Sequence, residues 1–480
     1  MELKDFPNET LGLIISHLFK FADEYDESSA AQNPEHLTNA RLVCRQWNEL
    51  ASRHLFSSIH LHHGSEGFER WNTMLDNETI RSSVRQVHID SSPLPFEDRS
   101  DECDWDLWED EGEYPEFLDS VDRISELQNL TSLVLYFVRE CRTGEYEYDS
   151  EQGEPLSTRK RTLHAVFSAM AKRTNESPGA TAIRSLTIEN LQNFVLDDFT
   201  GSDEFQQVMQ GLKGLHILVA DEENTLDSER EADLYRPERR NFEPHLRQVW
   251  LDPIAEQLTS LSLLFHCGWG VMPGKFDTSD LRFPNLRTLH LGAYIIARHS
   301  QLDWVLKQKT LQTLRLDRCA IASHLRIGGG HRQLWHVQDT DWTKHPRGAF
   351  GFNREDDEIY TFEGTWADVF NSIRESLPNL LDFRFSRYPH TFFLCRPDLM
   401  ESEEPHLARY FTFDTGYCSG WIDEESHMTF GNNDPEPMGI NSAPTSYNKK
   451  RILDRGAETY EEDLRALEDL VASTRRNRSC

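Results

Sequence analysis

Near the start of the chain, Leu11, Ile14, Ile15 and Leu18 fall at i, i+3, i+4 and i+7, the spacing of one apolar helical face. The pattern predicts a helix from about Asn8 to Phe19, with Pro7 just before it and Asn8 able to cap its first turn. A polar, acidic stretch, FADEYDESSAAQNPEH, reads as a loop. Helical spacing then resumes with Leu37, Leu42, Val43, Trp47, Leu50 and Ala51, broken near Asn39. The apolar run from Leu11 to Phe19 is well under the roughly 20 residues a membrane span needs. Glu2, Lys4 and Asp5 do not make the basic start of a secretory leader, so these residues are expected to belong to the fold.

Downstream the period changes. LTSLVL (130–135), IRSLTI (183–188), LRQVWL (246–251), LTSLSL (258–263), LRTLHL (286–291) and LQTLRL (311–316) share an LxxLxL pattern, with weaker copies at 84–89, 212–217 and 380–385. In such a unit the fourth and sixth residues point to one side of a short strand and bury, while the residue between them faces out. Leu289, Leu291, Leu314 and Leu316 are therefore expected in the core. LQTLRLDRCAI comes nearest to a full leucine-rich repeat, and repeated units of this kind stack as a parallel sheet.

Helical stripes precede several of these strands. Trp366, Val369, Phe370, Ile373 and Leu377 make one, opened by Thr365 with Asp368 placed as in a capping box and stopped by Pro378. Leu163, Val166, Phe167 and Met170 make another. The spacing is uneven: 25 residues separate Leu286 from Leu311, but 69 separate Leu311 from Leu380, so insertions are expected. The acidic stretch near 97–113 reads as a solvated loop, as does 425–448. YEEDLRALEDLVAST reads as an amphipathic helix with Leu464, Leu467, Leu470 and Val471 on one face, and RRNRSC as a frayed tail. Three regions follow: 1–60, 61–400 and 401–480.

Composition narrows the function. In 480 residues, 82 Asp and Glu against 50 Lys and Arg give a net charge of −32, which repels phosphate backbones and anionic membranes, so neither nucleic acid nor membrane is an expected partner. Eight cysteines without a CxxC pair suggest neither zinc nor disulfides, and fit a reducing cytoplasmic or nuclear location. Catalysis finds no support: Cys267 follows a strand with nothing to activate its thiolate, Gly328–His331 lacks the Lys and Ser/Thr of a phosphate loop, and His60, His62 and His63 lack further ligands at metal spacing. No catalytic residue, metal or cofactor is expected.

The first region resembles an F-box. Phe6 and Pro7 stand for the opening pair of that pattern, Glu9, Ile14, Ile15 and Leu18 follow in register, and Leu37, Leu42, Val43, Cys44, Arg45 and Trp47 match its second half. Phe6 replaces the usual Leu, and the loop from about Phe19 to His36 is longer than the family's. The resemblance, to a divergent F-box protein of the fungal type with a leucine-rich-repeat-like region, implies an α/β chain: a three-helix F-box followed by an irregular βα solenoid. It further implies that Phe6, Pro7, Ile14, Ile15, Leu18, Leu42, Val43 and Trp47 contact a Skp-family adaptor and, through it, a cullin, making the chain the substrate receptor of a ubiquitin ligase. The alternative is a non-degradative interaction scaffold. Outward positions of the last repeats carry His290, Arg315, Arg318, Arg384 and Arg387, a reversal of sign suited to an acidic or phosphorylated target segment.

Overall fold

The computed structural model describes residues 8–18, 32–93, 105–110, 112–143, 153–221, 237–328, 330–351, 356–386, 405, 409–414, 417–419, 422–423, 428–429 and 455–479. They form a mixed α/β protein with an N-terminal helical module and mostly parallel strands. The chain divides into two compact units, one of residues 1–138, 157–187 and 201–211, the other of 139–156, 188–200 and 212–480.

In the first unit, helices α1 (Asn8–Leu18), α2 (Gln32–Arg41) and α3 (Arg45–Leu55) precede three parallel strands, β1 (Ser58–Leu61), β2 (Gln86–Asp90) and β3 (Ser132–Tyr136). Their registers align Ile59 with Val87 and Val87 with Leu133, all buried. Helix Ser65–Asp76 joins β1 to β2 and buries Phe68, Trp71 and Leu75. The acidic insertion is not wholly a loop. Among its described residues Trp105–Asp110 is helical, and Trp105, Trp108, Tyr114 and Phe117 are buried. The ring of His63 packs 5.0 Å from Trp108 and 4.4 Å from Phe117. Net charge misjudged this stretch because aromatic residues spaced between carboxylates can anchor it while the charges face water. Leu163, Val166, Phe167 and Met170 bury one face of helix Leu156–Glu176, as their spacing predicts.

In the second unit, β4 (Cys141–Arg142) pairs with β5 (Glu154–Pro155), while β6 (Ser185–Gln192) crosses the boundary between the units. Strands β7 (Gly214–Ala220), β8 (Ser260–Trp269), β9 (Thr288–Ile296) and β10 (Thr313–Asp317) run parallel in register. After β10 the chain leaves this row. Strand β11 (Ala320–Ile327) pairs with the far end of β9 and with antiparallel β13 (Glu358–Phe362), which in turn pairs with β12 (Trp342–His345). Only then does β14 (Asp382–Ser386) return beside β10. The 69-residue gap is thus a side branch, and the repeats flanking it are neighbours in space. Two rungs, Leu215, Leu261, Leu289, Leu314 and Phe383, then Ile217, Leu263, Leu291, Leu316 and Phe385, form a buried ladder.

One copy of the motif is not a strand. LRQVWL is a π-helical segment, Leu246–Leu251, wider than an α-helix and burying Leu246, Trp250 and Leu251. These lie at i, i+4 and i+5, a helical spacing, and the segment runs on directly from helix Pro237–His245. Thr365 caps helix Trp366–Ser376, its hydroxyl accepting from the Asp368 amide at 3.1 Å.

The C-terminal helix, Tyr460–Ser479, extends through most of the expected frayed tail because its end is tied down: Asn477 donates to the carbonyls of Pro378 and Leu380 at 3.1 and 3.0 Å. It buries Ala466, Leu467 and Leu470. Asp463, also fully buried, holds Arg409 at 2.8 Å and accepts from the Thr459 hydroxyl and the Ala367 amide, both at 2.8 Å. Most of 425–448 lies outside the described residues.

Candidate adaptor-binding site

The three N-terminal helices close on a small core of Ile15, Leu37, Ala40 and Ala51, with Trp47, Leu50 and Leu55 partly buried against it. At 100° per residue Leu11 and Ile15 share the inward side of α1, and both are fully buried. Ile14 sits at the edge of that face and Leu13 on the far side, and both stand exposed. Between α2 and α3 the chain turns at Leu42 and Val43, whose amides bond back to Asn39 and Ala40 at 3.0 and 3.2 Å. This last turn points Leu42 and Val43 into solvent, 81% and 57% exposed. Among the described residues, the large hydrophobic side chains that are exposed are Leu13, Ile14, Leu42 and Val43. All four belong to this module, which makes up about a tenth of the chain.

Exposed apolar side chains on a small, separately cored helical module mark an interaction surface. Residues 3–62 match the F-box-like family. No curated protein is a significant match to the chain. F-box domains bind Skp-family adaptors in ubiquitin ligase complexes, and the match points to an adaptor-type role for residues 3–62.

Within the F-box-like domain, the residues that its pattern assigns to the adaptor do not share one environment. Ile14, Leu42 and Val43 are exposed, while Trp47 is half-buried against the helical core. Ile15 is fully buried in that core, so it supports the surface and cannot touch a partner without unfolding the module. Phe6 and Pro7 lie outside the described residues; Leu18 closes α1, and its side chain lies outside them too. Leu13 was missed because it falls off the helical stripe, and its signal in the sequence was the excess of apolar residues in LGLII over what one face can hold.

The outward row at the last repeats does assemble: His290 stands beside Arg315, and Arg315 beside Arg384, in register. Its members are not a bare cationic face, however. His290 is buried, and burial pulls its imidazole down to about 4, leaving it neutral at physiological pH. Arg315 and Arg384 both reach Asp382, at 3.8 and 3.5 Å, and Arg478 of the C-terminal helix bonds the same carboxylate. Arg318, in a left-handed backbone conformation at φ 48°, donates to the Phe265 carbonyl at 2.9 Å, and burial lowers it to about 10. Arg387 lies outside the described residues. The expectation that positions between the core leucines are exposed fails here because the strands are covered on both sides. On the outward side of β7 and β8, Leu218 and Leu264 form a buried cluster of their own. Parallel strands covered on both faces read as continuous apolar runs, such as LSLLF and LGAYII. At the other end of the chain, His60 stacks 4.3 Å from His88 and 5.5 Å from His62.

Proposed function

We propose that the chain is the substrate-recognition subunit of a Skp–cullin–F-box ubiquitin ligase, active in the cytoplasm, the nucleus or both. The observation that carries this reading is the confinement of the exposed apolar side chains, among the described residues, to the F-box-like domain. There they offer a dry contact to one dedicated partner, while the remaining surface is strongly acidic and soluble. The strands downstream are read as an irregular leucine-rich-repeat-like solenoid, since eight of the nine LxxLxL copies are strands, and the core positions of five of them, from β7 to β10 with β14, align in register. In this role the chain is not itself a catalyst; it raises the local concentration of a target near ubiquitin-transferring subunits.

The test is co-purification of the tagged full chain with a Skp-family adaptor and a cullin, with Leu42→Asp as control. Recovery of both partners, lost in the variant, supports the receptor role. Adaptor without cullin favours the scaffold alternative, and recovery of neither overturns the reading.

A further inference from the structure

The second residue of each LxxLxL unit stands at the amino end of its strand. In the copies that form strands it is Arg85, Thr131, Arg184, Lys213, Thr259, Arg287, Gln312 or Leu381. Four of these are basic and none is acidic, on a chain where Asp and Glu outnumber Lys and Arg 82 to 50.

In the second unit these residues make one continuous rung. The Thr259 amide donates to the Lys213 carbonyl, Arg287 to Thr259, Gln312 to Arg287 and Leu381 to Gln312, each at 2.8 Å. Neighbouring strands lie about 4.8 Å apart, so the backbones at Lys213 and Arg287 stand about 10 Å apart along this edge. Further cations come from the loops before β9 and β10. Arg282 and Lys307 adjoin the bond that the Phe283 amide gives to the Gln308 side chain at 2.9 Å, and Lys309 donates to the carbonyls of Leu306 and Ser376 at 2.9 and 2.6 Å. Lys213, Arg282, Arg287, Lys307 and Lys309 are all exposed, and among the described residues no carboxylate pairs with any of them. On the loops before β8 and β9, Asp252 and Asp277 are held by Arg247 at 3.4 and 3.6 Å, while Glu256 and Asp280 are exposed. With carboxylates in such excess, five cations left without an ion pair along one edge are a local reversal of sign.

At physiological salt the field of an exposed charge decays over about 8 Å, so a group within that distance of the row responds to the row before it responds to the net charge of −32. A thin, extended acidic peptide can stay within that distance. A nucleic acid or a membrane is broader than the row and meets the acidic surface around it. We propose that the amino edge of β7 to β10 is a docking surface for an acidic linear segment of a target protein. The segment runs across the strands, and its carboxylates meet Lys213, Arg282, Arg287, Lys307 and Lys309. This rests on the receptor reading and gives that receptor a target class.

The test measures fluorescence polarisation of two labelled peptides, one of alternating Glu and Ser and one of alternating Gln and Ser, on the full chain. Three proteins are compared: wild type, Arg287→Glu with Lys307→Glu, and a control with Arg70→Glu and Arg465→Glu, which carries the same net charge change. All four positions are exposed, so the reversals leave the fold intact, and thermal unfolding checks this. Wild type is expected to bind the Glu peptide and not the Gln peptide. The edge variant should bind the Glu peptide about 5–20-fold more weakly, and the control should stay within about twofold of wild type. No binding of the Glu peptide by wild type, equal binding by the edge variant, or an equal loss in the control overturns the proposal. Binding of a single-stranded oligonucleotide as tight as that of the Glu peptide overturns it too, since the edge would then not select a protein segment. Adaptor retention is scored in the same preparations: its loss with peptide binding intact refutes the F-box reading alone, and the converse refutes the edge alone.

Discussion

Replacing Leu42 and Val43 together by Ala separates a binding surface from a structural one, because the free protein already exposes both side chains. Leu→Ala removes three carbons and Val→Ala two, worth about 2.4 and 1.6 kcal/mol if fully buried in a complex, at about 0.8 kcal/mol per methylene. Weighting by the 81% and 57% that the free chain leaves exposed gives about 1.9 and 0.9 kcal/mol. The double variant should therefore bind a Skp-family adaptor about 100-fold more weakly, a loss near 3 kcal/mol. Its own stability should change by no more than about 0.5 kcal/mol, as for other exposed positions. Leu37→Ala makes the contrast, since Leu37 is fully buried and its truncation should cost about 2–5 kcal/mol of folding. The measurement is titration calorimetry against the adaptor, beside denaturant unfolding of each variant. Adaptor affinity within twofold of wild type in a stably folded double variant would refute the argument, and so would a collapse of stability, because it would mean the two residues are packed.

Three further outcomes follow from buried groups. Asp463→Ala strands Arg409 without its partner in a site closed to water, so urea unfolding should show a loss of about 3–5 kcal/mol; a change under 1 kcal/mol would mean the pair is hydrated. Burial lowers His216 and His290 to about 4 and His266 to about 3, so the unfolded chain binds protons that the native state refuses. Their stabilisation is complete above the unfolded value of 6.5 and is lost as pH falls toward 4, each group contributing up to about 1.4 kcal/mol per pH unit; a flat urea midpoint over that window contradicts it. Glu243 has the opposite sign: burial raises its carboxyl to about 8, so stability falls as pH rises from 4.5 to 8, and Glu243→Gln should abolish that share of the slope. Equal slopes in wild type and variant would place its carboxyl in solvent.

Local periodicity was enough for much of this protein. The first helix, the helical character of the second N-terminal segment, the strands of eight LxxLxL copies and the Thr365 cap were legible because each depends on spacing within about ten residues, whereas the division of that second segment into two helices at Leu42–Cys44 came from the family resemblance and not from spacing. Where two periods overlapped, as in LRQVWL, the helical spacing of its three largest apolar residues prevailed over the strand motif. Tertiary structure decided what spacing cannot encode. Ile14 and Ile15 are neighbours of the same type, yet one is exposed and the other sits in the core, because only the packing of α2 and α3 says which side of α1 is inside. His290, Arg315 and Arg384 were identifiable as outward positions, but the burial of His290 and the Asp382 carboxylate that Arg315 and Arg384 share arise from pairing between strands, of which β10 and β14 are about seventy residues apart in the chain. A sequence records the preferences of each segment. Which surfaces those segments cover, and which they leave open to a partner, is fixed only when distant apolar faces find each other and exclude water.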